Sequence, residues 1–228
     1  NNPIAGILNF ILLMRRILKE ETDATRGLDS FERYLILMEA ETRRISRIVS
    51  NLLTFSRQSQ MELGTQDVNR LIEKTLLLNE NMLKIHSVKI CKELDPALPQ
   101  VVGSADQLQQ VFMNMLSNAA EAMESKGGGR LVVKTWCGDA ANAIYISFAD
   151  DGVGISKKHL GKLFEPFYTT KKKGKGVGLG LSVVYGIIEA HNGSITVDTL
   201  PGKGATFTIR LPLSPDKQPA ETADAARN

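Results

Sequence analysis

Between Ile4 and Phe55 the apolar residues keep a helical step, and beyond Thr65 they do not. That change of period divides the chain. Ile4, Ile7, Ile11, Met14 and Leu18 alternate steps of three and four, the a/d seam of a coiled-coil helix. Thr22 to Asp29 has a loop composition of Thr, Asp, Gly and Ser. Phe31, Met38, Ile45 and Leu52 then return at heptad spacing, with Leu35, Ile48, Val49 and Phe55 filling the same face. Glu39, Glu41, Arg43, Arg44 and Arg47 charge the opposite one. Two amphipathic helices with so short a connection predict an antiparallel hairpin. A hairpin is too thin to enclose a core alone. Two copies forming a four-helix bundle solve this, so a homodimer is expected, and packing onto the rest of the same chain is the alternative.

After Arg57 to Thr65 an α+β layer is expected. Asn69 is placed to cap a helix running to about Lys84. Val88–Leu94 and Gln100–Gly103 read as strands, and a helix is predicted from about Asp106 to Met123. Leu131–Cys137 and Ala143–Phe148 form a predicted hairpin. Short helices follow around Lys158–Phe164 and Leu179–His191, and strands at Ser194–Thr199 and Ala205–Leu211. The run SPDKQPAETADAARN has almost no large apolar residue and reads as a disordered tail. The expected domains are residues 1–60, 61–212 and 213–228.

Composition excludes some classes. Lysine plus arginine exceed aspartate plus glutamate by 28 − 25 = 3 in 228 residues, too few to argue for nucleic acid. No apolar run approaches the roughly 20 residues of a membrane span, so no membrane contact is expected. Cys91 and Cys137 form neither a disulfide framework nor a metal spacing, which fits a reducing, cytoplasmic compartment. The chain opens on Asn1, inside a predicted helix, as a piece of a longer protein would.

The segment NMLSNAAEAM carries Asn114 and Asn118 one turn apart, with Glu121 beyond, on the side away from the apolar residues. Such a stripe is either a solvated face or a set of amide oxygens presented to a cation or ligand. Two glycine-rich segments follow. DDGVGI, Asp150–Ile155, closes a strand, and GKGVGLGLS, Gly174–Ser182, opens a helix behind Lys171, Lys172, Lys173 and Lys175. A glycine turn opening a helix offers N–H groups to a phosphate. Neither a dinucleotide βαβ context nor the P-loop pattern is present.

In this order, Asn-x-x-x-Asn, Asp-x-Gly-x-Gly, FEPFYTTK, Gly-x-Gly-x-Gly and GKGATF resemble the N, G1, F, G2 and G3 boxes of the GHKL ATPases. Within that superfamily the hairpin resembles the dimerisation and phosphotransfer domain of sensor histidine kinases, and Asn1-Asn2-Pro3 the end of the H box. The resemblance implies an α+β fold, a helical hairpin followed by a Bergerat-type ATP-binding sandwich. It implies ATP and Mg²⁺ as cofactors, a response-regulator receiver as partner, and phosphoryl transfer to a histidine three residues upstream of Asn1.

It assigns the magnesium to Asn118, and phosphate or water orientation to Asn114. A glutamate base at the latter position, found in hydrolysing relatives, is absent here. Asp150 is implied to accept a hydrogen bond from the adenine amino group, with Gly152, Gly154 and Ile155 beneath the base. Phe164, Phe167 and Tyr168 are implied lid anchors, the two phenylalanines equally readable as core. Thr170, Lys171, Gly176, Val177, Gly178, Leu179, Gly180 and Thr206 complete the implied nucleotide contacts. Asn2 matches the position of the family's phosphatase amide. Glu121 stands where some sensor kinases have a phosphate-facing lysine. His86, His159 and His191 match no acceptor and read as structural or surface residues.

Overall fold

The computed structural model describes residues 3–20, 31–39, 41–42, 45, 62–138, 142–170 and 178–213. Asn2, the hairpin loop, Ile48, Val49, Leu52, Phe55, Lys171–Lys173, Lys175–Val177 and the tail beyond 213 lie outside them. The chain divides into two compact units, residues 1–59 and 60–228.

In the first unit, α1 spans Pro3–Glu20, and residues 31–39, 41, 42 and 45 are helical and form α2. Ile7, Ile11 and Met14 are half-buried, as are Phe31, Met38 and Ile45, at the positions the heptads mark. Leu35 departs from the expected seam. It is 55% exposed, beside the exposed Ile36, while α1 exposes Leu8 and Leu12. The two helices meet where Phe10 stacks on Tyr34 with ring centroids 5.9 Å apart.

The second unit is built on a sheet in the order β2-β4-β5-β7-β6. Its strands are β2 (Val88–Glu93), β4 (Gly129–Cys137), β5 (Ala143–Asp150), β6 (Ser194–Leu200) and β7 (Gly204–Pro212). β2 runs parallel to β4, and the other pairings are antiparallel. Strand alternation sends Leu131, Val133, Ile144, Ile146, Phe148, Phe207, Ile209 and Leu211 to one face, where all are buried. Helices α3 (Val68–Leu78), α5 (Ala105–Glu124) and α7 (Gly180–Ala190), the last preceded by the one-turn α6 (Lys157–Leu160), supply the other half of that core through Ile72, Phe112, Met115, Leu116, Val184 and Ile188. The sheet's other face carries Lys134, Ser147, Thr206 and Thr208. Trp136 and Tyr145 are register partners there, stacked at 5.3 Å.

Three details correct the sequence reading. The predicted helix from Asn69 to Lys84 is two helices, α3 and α4 (Glu80–Ile85), broken at Asn79. There the Asn79 amide group donates to the carbonyl of Thr75 at 2.8 Å, the local competition that makes asparagine a poor helix-interior residue. Asp67, not Asn69, caps α3, accepting from the Arg70 N–H at 3.0 Å. Asn69 instead reaches across to Asp95 and Thr135. A short strand, β1 (Gly64–Gln66), pairs with β3 (Val101–Gly103) and carries no apolar alternation that could announce it.

His191 joins the far ends of two helices. It is buried just past α7, and its Nδ1–H donates to the Ile187 carbonyl at 2.7 Å. Nε2 is thereby the acceptor, and the Ser104 N–H at the start of α5 donates to it at 3.0 Å. Burial lowers the pKa of His191 from its ordinary 6.5, against an opposing pull from the Ile187 carbonyl. As pH falls through that value the unfolded chain takes up a proton that the folded chain refuses, so stability present above it is lost below it. The protein is expected to melt at a lower temperature at pH 5.5 than at pH 7.5, and His191→Gln to flatten that difference. Equal slopes in the two proteins would remove His191 as the cause.

Candidate functional site

Helix α5 is two-faced. Leu108, Val111, Phe112, Met115, Leu116, Ala119, Ala120 and Met123 are buried, while Asn114, Asn118 and Glu121 lie half-buried on the other side. The Asn114 amide group donates to the Gln110 carbonyl at 3.0 Å. Its Oδ1 faces the start of α7, where a Cβ on Gly180 would come within 3.2 Å of it. Asn118 buries its Nδ2 without a hydrogen-bond partner. An orphaned buried amide is uncommon and calls for a ligand or a functional reason. Ser117 donates to Glu121 at 3.3 Å, holding that carboxylate within its own helix.

The turn after β5 meets the other end of this stripe. Val153 N–H donates to the Ala122 carbonyl at 3.1 Å. Gly152 is pressed so close that a Cβ there would lie 2.7 Å from the same oxygen. The Gly152 N–H donates to Asp150 Oδ1 at 2.9 Å, an Asx-type turn that aims the carboxylate. Burial raises the Asp150 pKa, against backbone N–H groups of Gly152 and Ala205 that pull it down. A carboxylate so penalised gains from any further donor brought to it. Gly154 adopts φ +67 against Leu200, and the Ile155 N–H donates to Thr199 Oγ1 at 2.9 Å.

Along α5, Asn114, Asn118 and Ala122 therefore form one row. The turn that opens α7 touches its first member and the Asp150 turn its last. Eight residues of helix separate them, about 12 Å.

The segment between the turns is only partly described. Phe164 packs against the core and meets Tyr185 in a tilted ring pair with centroids 5.5 Å apart, so it is a core anchor. Phe167 is neither core nor buried: it is 65% exposed with φ +65. Tyr168 is held by a hydrogen bond between its hydroxyl and His159 Nδ1. Thr170 is exposed at the end of the described stretch. Gly178 lies at φ +73 behind the Tyr168 carbonyl, Leu179 is buried, and Gly180 begins α7. Lys171, Gly176 and Val177 fall outside the described residues, as does Asn2.

Thr206 is not brought to Asp150. The register partner of Asp150 is Ala205, and Thr206 pairs with Ala149. Period-2 alternation turns Thr206 to the outer sheet face, where it lines a cavity of about 420 Å³ with Lys134, Trp136, Ser147 and Thr208. That cavity is on the opposite side of the sheet from α5. Among the described residues, no cluster of histidine, cysteine and carboxylate side chains could hold a metal by itself. No described helix is long and apolar enough to cross a membrane.

Sequence reasoning missed Lys126. Its ammonium donates to the carbonyls of Asp151 at 2.6 Å, Gly152 at 2.8 Å and Gly202 at 3.1 Å. A lysine before three glycines looks like any solvated loop residue, and no local signal distinguishes it.

Residues 103–215 match the family described as histidine kinase-, DNA gyrase B- and HSP90-like ATPases. The signal transduction histidine-protein kinase AtoS of Escherichia coli K12 is 35% identical over 215 residues, covering 94% of this chain and 33% of AtoS. Sporulation kinase C of Bacillus subtilis is 31% identical over 218 residues, covering 94% of this chain and 47% of the relative. The chain thus spans between a third and a half of the length of these curated relatives. Among solved structures, the histidine kinase ThkA in complex with the response regulator TrrA aligns with a TM-score of 0.72 at 26% identity, over 95% of this chain and 59% of that one. The nucleotide-free catalytic domain of ThkA aligns with a TM-score of 0.59 at 29% identity, over 68% of this chain and 100% of that domain. The amide row of α5, the carboxylate turn after β5 and the glycine turn before α7 all lie within the matched residues 103–215, and the chain belongs to the sensor histidine kinases within that ATPase family.

Proposed function

We propose that the chain is the dimerisation and catalytic core of a sensor histidine kinase, which binds Mg-ATP and passes the γ-phosphoryl group to a histidine lying upstream of Asn1. From there the group moves to an aspartate on a response-regulator receiver. The observation that carries the reading is the row on α5, with a base-reading carboxylate at one end and a helix-opening glycine turn at the other.

In this reading Asp150 accepts a hydrogen bond from the adenine amino group, which guanine, presenting an acceptor there, cannot supply. Gly152, Gly154 and Ile155 form the floor under the base. The start of α7, from Gly178 to Gly180, offers its free N–H groups to the phosphates. Asn118 fits magnesium through an amide oxygen, a hard neutral ligand suited to a site already crowded with phosphate charge. When bound, that ion neutralises phosphate charge. Asn114 orients phosphate, and no glutamate stands in its place to activate water, which favours transfer over hydrolysis. Thr170, Lys171, Gly176 and Val177 belong to the lid that closes on the phosphates, and Asn2 to a phosphatase role on the receiver. Exposed Leu8, Leu12, Leu35 and Ile36 support the hairpin as the dimer face, since a second copy would cover them.

The test has two parts. Calorimetry with Mg²⁺ should show ATP binding well ahead of GTP, and Asp150→Ala should cost about 1.5–3 kcal/mol of ATP affinity and most of that preference. A chain extended upstream through the histidine of the H box should form acid-labile phosphate from labelled ATP. Undiminished adenine selectivity in Asp150→Ala removes the base-reading role. Nucleotide binding without acid-labile phosphate would leave a nucleotide-responsive docking module instead of a kinase.

A further inference from the structure

Lys126 lies just past the end of α5, with its own N–H donating to the Met123 carbonyl at 2.9 Å. A lysine ammonium has three donors and no acceptor. Bonds to the carbonyls of Asp151, Gly152 and Gly202 engage all three, so none is left for a phosphate. The side chain therefore belongs to no anion site, in spite of its charge. What it does is gather two turns. Asp151 and Gly152 follow the β5 carboxylate, and Gly202 lies in the β6–β7 turn. A backbone bond from the Gly202 N–H to the Val153 carbonyl, 2.7 Å, runs alongside.

The strongest of these contacts acts on one rigid unit. The Asp151 carbonyl and the Gly152 N–H are the two ends of a single planar peptide. Lys126 holds the oxygen end at 2.6 Å, and the nitrogen end donates to Asp150 Oδ1 at 2.9 Å. A cation on the carbonyl fixes the tilt of that plane and polarises its N–H into a better donor. The carboxylate is thus aimed by an ammonium it does not touch. Without the cation, three carbonyl dipoles converge on one point and repel, and the turns part toward water.

We infer that Lys126 is a positioning residue for adenine recognition, acting on Asp150 through the Asp151–Gly152 peptide. This rests on the nucleotide reading proposed above. Lys126→Met keeps the aliphatic stem and removes the three donors, and Lys126→Gln restores part of the donor set.

Two measurements on the whole chain decide it. In nucleotide-free protein, amide exchange at Gly152 should become at least about tenfold faster in Lys126→Met, with Lys126→Gln intermediate. Calorimetry should show ATP binding about tenfold weaker in Lys126→Met, while tripolyphosphate, which has no base, binds within about twofold of wild type. Unchanged exchange at Gly152 overturns the clamp. Unchanged ATP affinity, or equal losses for ATP and tripolyphosphate, overturns its role in base recognition even if the clamp is real. A merely structural lysine would lower the melting temperature and leave the ratio of the two affinities alone. Should wild type itself fail to prefer ATP over tripolyphosphate, the nucleotide reading fails and the base-positioning role with it, and the exchange measurement still decides whether Lys126 holds the turn.

Discussion

Asn118→Ala is expected to weaken Mg-ATP binding by about 100-fold or more while leaving the melting temperature within about 2 °C of wild type. The two halves of that result have one cause. Asn118 is half-buried, and its Nδ2 has no hydrogen-bond partner. In the free protein its removal leaves no donor or acceptor stranded, so the usual penalty for deleting a buried polar group does not arise. In the nucleotide-bound protein the amide oxygen is proposed as a magnesium ligand, and nothing in alanine replaces it. Asn114→Ala should differ. Its amide group bonds the Gln110 carbonyl, so part of its value is already spent inside the helix. Calorimetry with Mg²⁺ and thermal melts on the same samples check both claims. Retained affinity in Asn118→Ala would count against the magnesium assignment, and a large fall in melting temperature against the view of this residue as held in reserve for a ligand.

Gly204→Ala is expected to be the most destabilising of the small substitutions near the site, by about 3 kcal/mol or more, roughly a 10 °C fall in melting temperature. Gly204 opens β7 at φ +90, and a Cβ there would lie 1.9 Å from the Asp150 carbonyl oxygen. Neither a backbone oxygen in a ladder nor a neighbouring Cα can step aside as a side chain can. Gly202, in the same turn, provides the control. It too has positive φ, +79, but nothing lies within 4 Å of its would-be Cβ. Gly202→Ala should therefore cost only the strain of the left-handed conformation, about 1 kcal/mol. Denaturant unfolding of the pair separates the two contributions. Equal losses at 202 and 204 would mean that close approach plays no part. Because the obstructing oxygen belongs to Asp150 itself, the Gly204 substitution should also lower adenine affinity beyond its effect on stability.

The parts of this protein that the sequence discloses are those whose signal is periodic or local. The heptads of Ile7, Ile11, Met14, Phe31, Met38 and Ile45 appear as half-buried positions because a helical face is written at fixed spacing. Helix α5 and the β4–β5 hairpin are legible for the same reason. What stays hidden depends on partners distant in sequence. Asn79 breaks a helix through its own side chain, and nothing in Leu76 to Met82 other than that residue hints at it. β1 exists because Gln66 and its neighbours find β3, not because Gly-Thr-Gln favours a strand. Of the proposed site, the asparagines, Asp150 and the glycines come from motif order, whereas motif order does not say that Thr206 turns to the sheet face away from Asp150. A box identifies a strand, but which of two adjacent residues shares a sheet face with Asp150 is fixed by register, and Ala205 has that place. Phe167 is a second case, since an aromatic side chain invites burial in the core and this one is 65% exposed, at φ +65.

Helix α5 is pinned at its start by the His191 ring and near its finish by the Val153 N–H on the Ala122 carbonyl. It behaves as a gauge clamped at both marks, on which distance and rotation are set together. One residue added between Asn114 and Ala122 would lengthen the rod by about 1.5 Å and swing everything past it by roughly 100°. The proposed base and phosphate grips would then disagree in angle as well as in spacing, so tolerance for substitution along this rod should coexist with intolerance for any change in its length.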